Sequence, residues 1–215
     1  MSRPITTIAP LVEAVLEAGR LALDYYRQPE EQGVSRKLDG SLVTEADHAV
    51  EALLEGVLDS RFPGTGLLAE EGAHRPTEEG AWTFVVDPID GTEAFTCGAP
   101  AWCIAVGLLD ESQTPVAGIV HAPAWGATWI ADVDPTLPAT HNGRPLSPMA
   151  YEPPRNLTAR DTLLVDSKAH RTHQLKGYPG KARSYGSTAL HAVLVATQSG
   201  FSAAQLSAAM AWDVA

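Results

Sequence analysis

Between Trp82 and Thr92 an apolar run, Thr83-Phe84-Val85-Val86, passes without interruption into Asp87-Pro88-Ile89-Asp90-Gly91-Thr92. A short run of β-branched and aromatic residues bounded by turn formers reads as a buried strand. The strand should end at Asp87, with the chain turning sharply at Pro88 and presenting Asp90 three residues on. Two carboxylates at the end of one buried strand constrain everything around them, because like charges crowded there are costly unless cations or hydrogen-bond donors meet them. Hard divalent cations take oxygen ligands, and magnesium is usually held by one or two carboxylates together with water and phosphate oxygens. If a helix begins after Gly91-Thr92, its backbone N–H groups attract phosphate and the glycine lets an oxygen approach closely. Taken alone, the same segment also fits a strand exit capped by aspartates.

A second short apolar run, Leu67-Leu68-Ala69, leads into Glu70-Glu71-Gly72. The bland reading is a solvated loop start. Two strands of one sheet ending in acids would, however, line up carboxylates along one edge, and such crowding again calls for cations.

The remainder of the chain supplies the covering elements. Ile8, Leu11, Val12, Val15, Leu16, Gly19, Ala22, Leu23 and Tyr26 recur at helical spacing, which predicts an amphipathic helix capped by Thr6 or Thr7. Thr44-Glu45-Ala46-Asp47 resembles a capping box, and Val50, Leu53, Leu54, Val57 and Leu58 continue a second helix that Phe62-Pro63-Gly64 stops. Strands are expected over residues 67–69, 82–86, 102–109, 116–120 and 128–131. Tight connections between them point to an antiparallel sheet with both helices on one face. Asp134-Pro135-Thr136-Leu137-Pro138 interrupts this pattern, so the expected organisation is an N-terminal α+β domain over 1–137 and an α/β domain over 138–215. In the second part, 163–165 and 182–185 read as strands and 188–197 as a helix introduced by Gly186-Ser187. Internal repeats and low-complexity segments are absent from the sequence.

Composition narrows the function classes. The formal charge of −11 argues against nucleic acid or an anionic membrane surface as partner, since both need a basic patch. A small anionic substrate stays compatible with it where bound cations invert the local field. No apolar run approaches the roughly 20 residues that span a bilayer, and Met1-Ser2-Arg3-Pro4-Ile5 does not open a secretory signal, so a cytoplasmic location is expected. Cys97 and Cys103 match neither a disulfide framework nor a zinc site and read as small core residues. The ligand-spaced histidine pair His170-x-x-His173 lies in a polar loop, and Asp161, Asp166, Glu78 and Glu79 read as turn or solvated acids.

Four blocks, taken together, resemble the inositol monophosphatase family of lithium-sensitive, magnesium-dependent phosphatases, which includes bisphosphate nucleotidases. They are Asp39-Gly40-Ser41-Leu42-Val43-Thr44-Glu45-Ala46-Asp47, then Glu70-Glu71-Gly72, then Trp82 to Thr92, and finally Trp212-Asp213-Val214-Ala215. Phosphatases that form an aspartyl phosphate carry Asp-x-Asp-Gly-Thr, and here Pro88 stands where their nucleophile would be. The resemblance implies a layered αβαβα sandwich and a homodimer. It implies a first magnesium on Glu70, Asp87 and the carbonyl of Ile89, and a second on Asp87, Asp90 and Asp213. A third, weaker ion is implied near Glu70, with the attacking water oriented by Glu70 and by Thr92 paired with Asp47. Gly91 and Thr92 would bind phosphate. Lys37 would contact phosphate or close a loop over the metals, or be a plain surface lysine. Gly186, Ser187 and Thr188 would meet the non-phosphate part of the substrate, or simply pack.

Departures from the family pattern bear on substrate. The acid that holds cyclitol hydroxyls in inositol-specific relatives is replaced by Leu206, and the asparagine of Asp-Gly-Thr-x-Asn-Phe by Ala94. By the same resemblance the chain stops at Ala215 where relatives continue for further elements, so its C-terminal part reads as incomplete. The expected activity is hydrolysis of a small phosphomonoester resembling inositol 1-phosphate. The alternatives are a nucleotidase acting on 3'-phosphoadenosine 5'-phosphate and a noncatalytic metal-binding or assembly protein. No role for the loop 72–80 is legible.

Overall fold

A computed structural model of the chain describes residues 8–76, 81–134, 136–147, 158–167, 176–197 and 201–204. Helix α1 (Ala9–Tyr26) buries Leu11, Ala14, Val15, Ala18, Gly19 and Ala22, the face that the three-and-four spacing announces. Its N-cap is Ile8, which offers no side-chain cap, and Pro10 sits in the first turn where a missing N–H costs nothing. Thr6 and Thr7 lie outside the described residues. Helix α2 (Glu45–Arg61) opens on the expected capping box: Asp47 N–H donates to Thr44 Oγ1, and the Asp47 carboxylate receives the Thr44 N–H.

The two helices pack together over one face of a sheet of eight strands, β3 (Gly66–Ala69), β4 (His74–Arg75), β5 (Thr83–Asp90), β6 (Cys103–Leu109), β7 (Pro115–Ala122), β8 (Ala127–Asp132), β9 (Thr140–His141) and β10 (Arg144–Pro145), while β1 (Ser35–Arg36) and β2 (Leu42–Val43) form a separate hairpin. The spatial order is β10-β9-β8-β7-β6-β5-β3-β4. The sheet is antiparallel as expected except at one place, where β3 and β5 run parallel with Ala69 opposite Val86. That exception brings the C-terminal ends of both strands, and so their acids, to the same edge. Strands β9 and β10 follow residue 137 yet extend this first sheet, so sheet membership changes between Pro145 and Thr162. A three-stranded parallel sheet follows, with β11 (Thr162–Val165) between β12 (Lys181–Arg183) and β13 (Phe201–Ala204). Helix α4 (Thr188–Thr197) connects β12 to β13 and packs on β6 and β7 of the large sheet. The short helix α3 (Thr92–Thr96) sits between β5 and β6.

The described residues therefore form four successive layers: α1 with α2, the large sheet, α4, and the small sheet. The main core lies under α1 and α2, around Leu54, Leu58, Phe84, Val86, Ile89, Phe95, Trp102 and Ile104. A second core under α4 gathers Cys103, Ala105, Ala127, Trp129, Ala189 and Leu190. Alternate β6 residues serve the two cores, Ile104 and Val106 on one side and Cys103 and Ala105 on the other, as the period of two requires. Among the described residues no helix is long and apolar enough to cross a membrane.

Close packing of α1 on β7 depends on Gly19. A Cβ there would overlap the His121 ring, with Cδ2 at 2.5 Å and Nε2 closer still, and would lie 3.1 Å from Pro123 Cγ. The ring cannot swing aside cheaply, because Nδ1 sits 2.9 Å from Thr128 Oγ1 and 3.2 Å from the Ala127 carbonyl. Gly19→Ala is therefore expected to lower unfolding free energy by about 1–3 kcal/mol, the usual cost of overpacking. The shift of the urea midpoint at unchanged slope measures it.

Candidate metal centre at the edge of β3 and β5

Asp87 and Asp90 share a face of the sheet for a reason the spacing alone hides. Residues three apart on a regular strand point to opposite faces. Here Asp87 pairs with Ala105 and Asp90 with Cys103, so three steps on β5 oppose two on β6. The expected sharp turn at Pro88 is instead a β-bulge inside a continuous strand, and the one extra residue returns Asp90 to the Asp87 side. Ile89 meanwhile enters the main core. Beyond the Ala69–Val86 pair, the Glu70 N–H donates to the Val86 carbonyl at 3.1 Å, which sets Glu70 beside Asp87 in register.

The three acids have different immediate partners. Glu70 accepts from Lys37 Nζ at 2.7 Å, and the same ammonium donates to Glu71 at 2.6 Å. Lys37 stands in the hairpin of β1 and β2, which its own N–H closes on the Ser41 carbonyl. Asp90 is held by the start of α4: Oδ2 accepts from Ser187 Oγ and from the Ala189 N–H, both at 2.7 Å, and Oδ1 from the Thr188 N–H at 3.2 Å. Asp87 is 2% exposed, its Oδ1 receives no hydrogen bond, and the residue has further interactions. Gly91 has φ of +98°, and a Cβ on it would meet the carbonyls of Ala101 and Gly186 at 3.2 Å and Ser187 Cβ at 3.3 Å. Only glycine lets the 186–187 turn come down onto the bulge. Gly186 is also left-handed at +92°, and a Cβ on it would come 3.4 Å from Ala94 Cβ.

Asp47 and Thr92, which the sequence pairs, are also brought together. Asp47 is fully buried, and its Oδ2 takes the Thr44 N–H at 2.8 Å and the Thr44 hydroxyl at 2.5 Å. Thr92 Oγ1 lies 3.1 Å from the Ile89 carbonyl and 3.4 Å from Asp47 Oδ1. One hydroxyl proton serves both acceptors, and the shorter distance favours Ile89. Burial pushes the Asp47 carboxyl up to about 6 despite its bonds to Thr44, and pushes Glu71 up to about 7 against the opposing pull of Lys37. Burial would lower the Lys37 ammonium, but the bonds to Glu70 and Glu71 outweigh it and hold the group above its ordinary value.

Sequence reasoning missed Glu51. Its two carboxylate oxygens accept the N–H groups of Glu71 and Ala73 at 2.8 Å, pinning the turn that carries Glu70 and Glu71. The signal was present, since Glu51 falls on the buried stripe of α2 one helical turn after Asp47. Ser187, expected either to meet substrate or to pack, is fully buried with its hydroxyl on Asp90. Of the cysteines expected in the core, Cys103 is buried and Cys97, at the exposed end of α3, is not. Leu206, Asp213, His170, His173, Glu78 and Glu79 lie outside the described residues.

Among the described residues, no three acidic, histidine or cysteine side chains converge as a ready ligand group. Glu70 has turned to Lys37 and Asp90 to α4. The donor chemistry nevertheless fits a hard divalent cation: three carboxylates and a strand carbonyl share one edge, and the acids there already gather a positive charge from Lys37.

The model of the inositol monophosphatase family matches residues 3–215. Over 179 residues the chain is 31% identical to a histidinol-phosphatase of Chlorobaculum parvum, covering 81% of this chain and 67% of that protein. Over 137 residues it is 34% identical to an inositol-1-monophosphatase of Synechocystis, covering 62% of this chain and 45% of the relative. Among solved structures, the extragenic suppressor protein suhB of Bartonella henselae superposes with a TM-score of 0.78 at 24% identity, over 96% of this chain and 80% of that one. This last likeness shows the fold.

The raised carboxyls make a pH prediction. Both groups bind a proton more tightly when folded than at their ordinary values of 3.8 and 4.5. Their ionisation therefore erodes stability as pH rises from about 4 through about 6 for Asp47 and about 7 for Glu71. Carboxyl-detected NMR in chelator should find midpoints near these values, and added magnesium should lower both. A Glu71 midpoint at or below 4.5 would contradict burial as the controlling influence.

Proposed function

The chain belongs to the inositol monophosphatase family, and from that premise we propose that it hydrolyses a small phosphomonoester with magnesium at the edge of β3 and β5. The observation that carries this reading is the bulge that sets Asp87 and Asp90 on one face beside Glu70. Glu70, Asp87, Asp90 and the Ile89 carbonyl would hold two or three ions, with Asp213 as the remaining ligand implied by resemblance. When bound, the ions neutralise phosphate oxygens and lower the pKa of water. The protein's own groups do the rest. Backbone N–H groups at the start of α3, from Gly91 and Thr92, receive a phosphate oxygen. Thr92 Oγ1, within reach of Asp47 Oδ1, orients water and passes its proton toward the buried carboxylate. Lys37, whose ammonium holds Glu70 and Glu71, would be free to pair with phosphate wherever cations took over those carboxylates. A homodimer is the assembly we expect.

Leu206, standing where inositol-specific relatives carry an acid, weakens the inositol 1-phosphate reading, and a histidinol-phosphatase among the similar proteins makes histidinol phosphate a second candidate. Sequence reasoning had not named that substrate.

Phosphate release with magnesium across inositol 1-phosphate, histidinol phosphate and 3'-phosphoadenosine 5'-phosphate tests the proposal. Turnover of at least one is expected, with Asp87→Asn reducing it about 1000-fold, the roughly 4 kcal/mol that metal stabilisation of the transition state supplies. A folded, magnesium-binding sample inert on all three would instead support the noncatalytic reading.

A further inference from the structure

Ser187 is buried at the start of α4, and its surroundings give its hydroxyl a definite partner. Its Oγ accepts the Leu190 N–H at 3.1 Å, the standard bond of a helix N-cap. That bond uses a lone pair and leaves the hydroxyl proton to be placed. The proton goes to Asp90 Oδ2 at 2.7 Å, and Cys103, the register partner of Asp90 on β6, closes the pocket with Sγ 3.4 Å from Ser187 Oγ. Ser187 and Cys103 are both fully buried and Asp90 is 7% exposed, so solvent cannot substitute for the missing bond if the hydroxyl is removed. Capping α4 requires an acceptor only; the donated proton does something further.

That further action is asymmetric on Asp90. Oδ2 is fastened by two short donors, while Oδ1 is held by the Thr188 N–H at the longer 3.2 Å. A carboxylate held this way cannot rotate about its Cβ–Cγ bond without breaking the two short bonds, so the direction of Oδ1 is fixed with it. Partners behind a metal-binding carboxylate orient it and tune its donor strength, and their loss typically costs 10–100-fold in metal affinity.

We propose that Ser187 is a positioning residue for the metal centre: its buried hydroxyl fixes Asp90 Oδ2 to the start of α4 and so sets the orientation in which the carboxylate would hold a magnesium ion. The inference rests on the reading of Asp90 as a metal ligand. It would also couple the 186–188 turn to the cation, because the carboxylate bonded to the turn is the one that would hold the ion.

Calorimetric titration of the full chain with magnesium alone, without substrate, tests this with four proteins. Asp90→Asn is expected to abolish the binding of one ion. Ser187→Ala should weaken that same ion at least tenfold, and Ser187→Thr, which keeps the hydroxyl, should restore affinity to within about twofold of the parent. Thermal unfolding run alongside reports the separate loss of the cap. Should the alanine variant fail to fold, Ser187→Gly, which costs a helix cap little, takes its place. If Asp90→Asn binds magnesium like the parent, the metal-centre reading itself fails. If Asp90→Asn loses an ion while Ser187→Ala does not weaken it, or if alanine and threonine weaken it equally, the positioning role is overturned and that reading stands.

Discussion

The extra residue in β5 is the constraint on which the rest of the structure depends. Without it, strand geometry would send Asp87 and Asp90 to opposite faces, one of them into the apolar layer under α1 and α2. With it, both acids face the α4 side and the intervening Ile89 becomes core. Pro88 suits the bulge because the ladder there is already broken and a missing N–H forfeits no pairing. The parallel pairing of β3 with β5 adds the third acid, since only parallel neighbours end at the same edge and bring Glu70 beside Asp87.

Gathering carboxylates creates repulsion, which the fold offsets locally rather than by spreading the acids apart. Glu70 and Glu71 share the ammonium of Lys37, and Asp90 takes the positive end of α4 through Ser187 and two backbone N–H groups. Asp47 is held by the start of α2, and Glu51 is spent on backbone donors of the 70–73 turn. Each of these carboxylates is held by a cation or by oriented donors, the two devices that make buried acids tolerable. Where burial outweighs those donors the carboxyls are pushed upward, as at Asp47 and Glu71.

How much of this was legible depends on whether the controlling interaction is local in sequence. The stripe of α1, the Thr44 capping box, the five longer strands and α4 are set by neighbours three or four residues away, and all were readable. So were the acids themselves, because their residue types and order carry the family pattern. What escaped were consequences of pairing at long range. The bulge is visible only in the register against β6, and the parallel β3–β5 pair only in the topology. Two-residue strands such as β4, β9 and β10 are too short to show a period. Ser187 was singled out for its position before a helix, but only the approach of that helix to β5, permitted by Gly91, decides which way its hydroxyl points.

Helix caps and site chemistry use the same atoms here. The Asp47 carboxylate completes the α2 box through Oδ2 and reaches Thr92 through Oδ1. Ser187 caps α4 through its lone pair and holds Asp90 through its proton. Both helices therefore end on the acidic edge, one from each face of the large sheet, and the edge is rigid because two helix starts are bonded into it. Moving Asp90 therefore moves the first turn of α4, and moving that turn moves Asp90 in return, because Ser187 and Ala189 both bond to a single carboxylate oxygen.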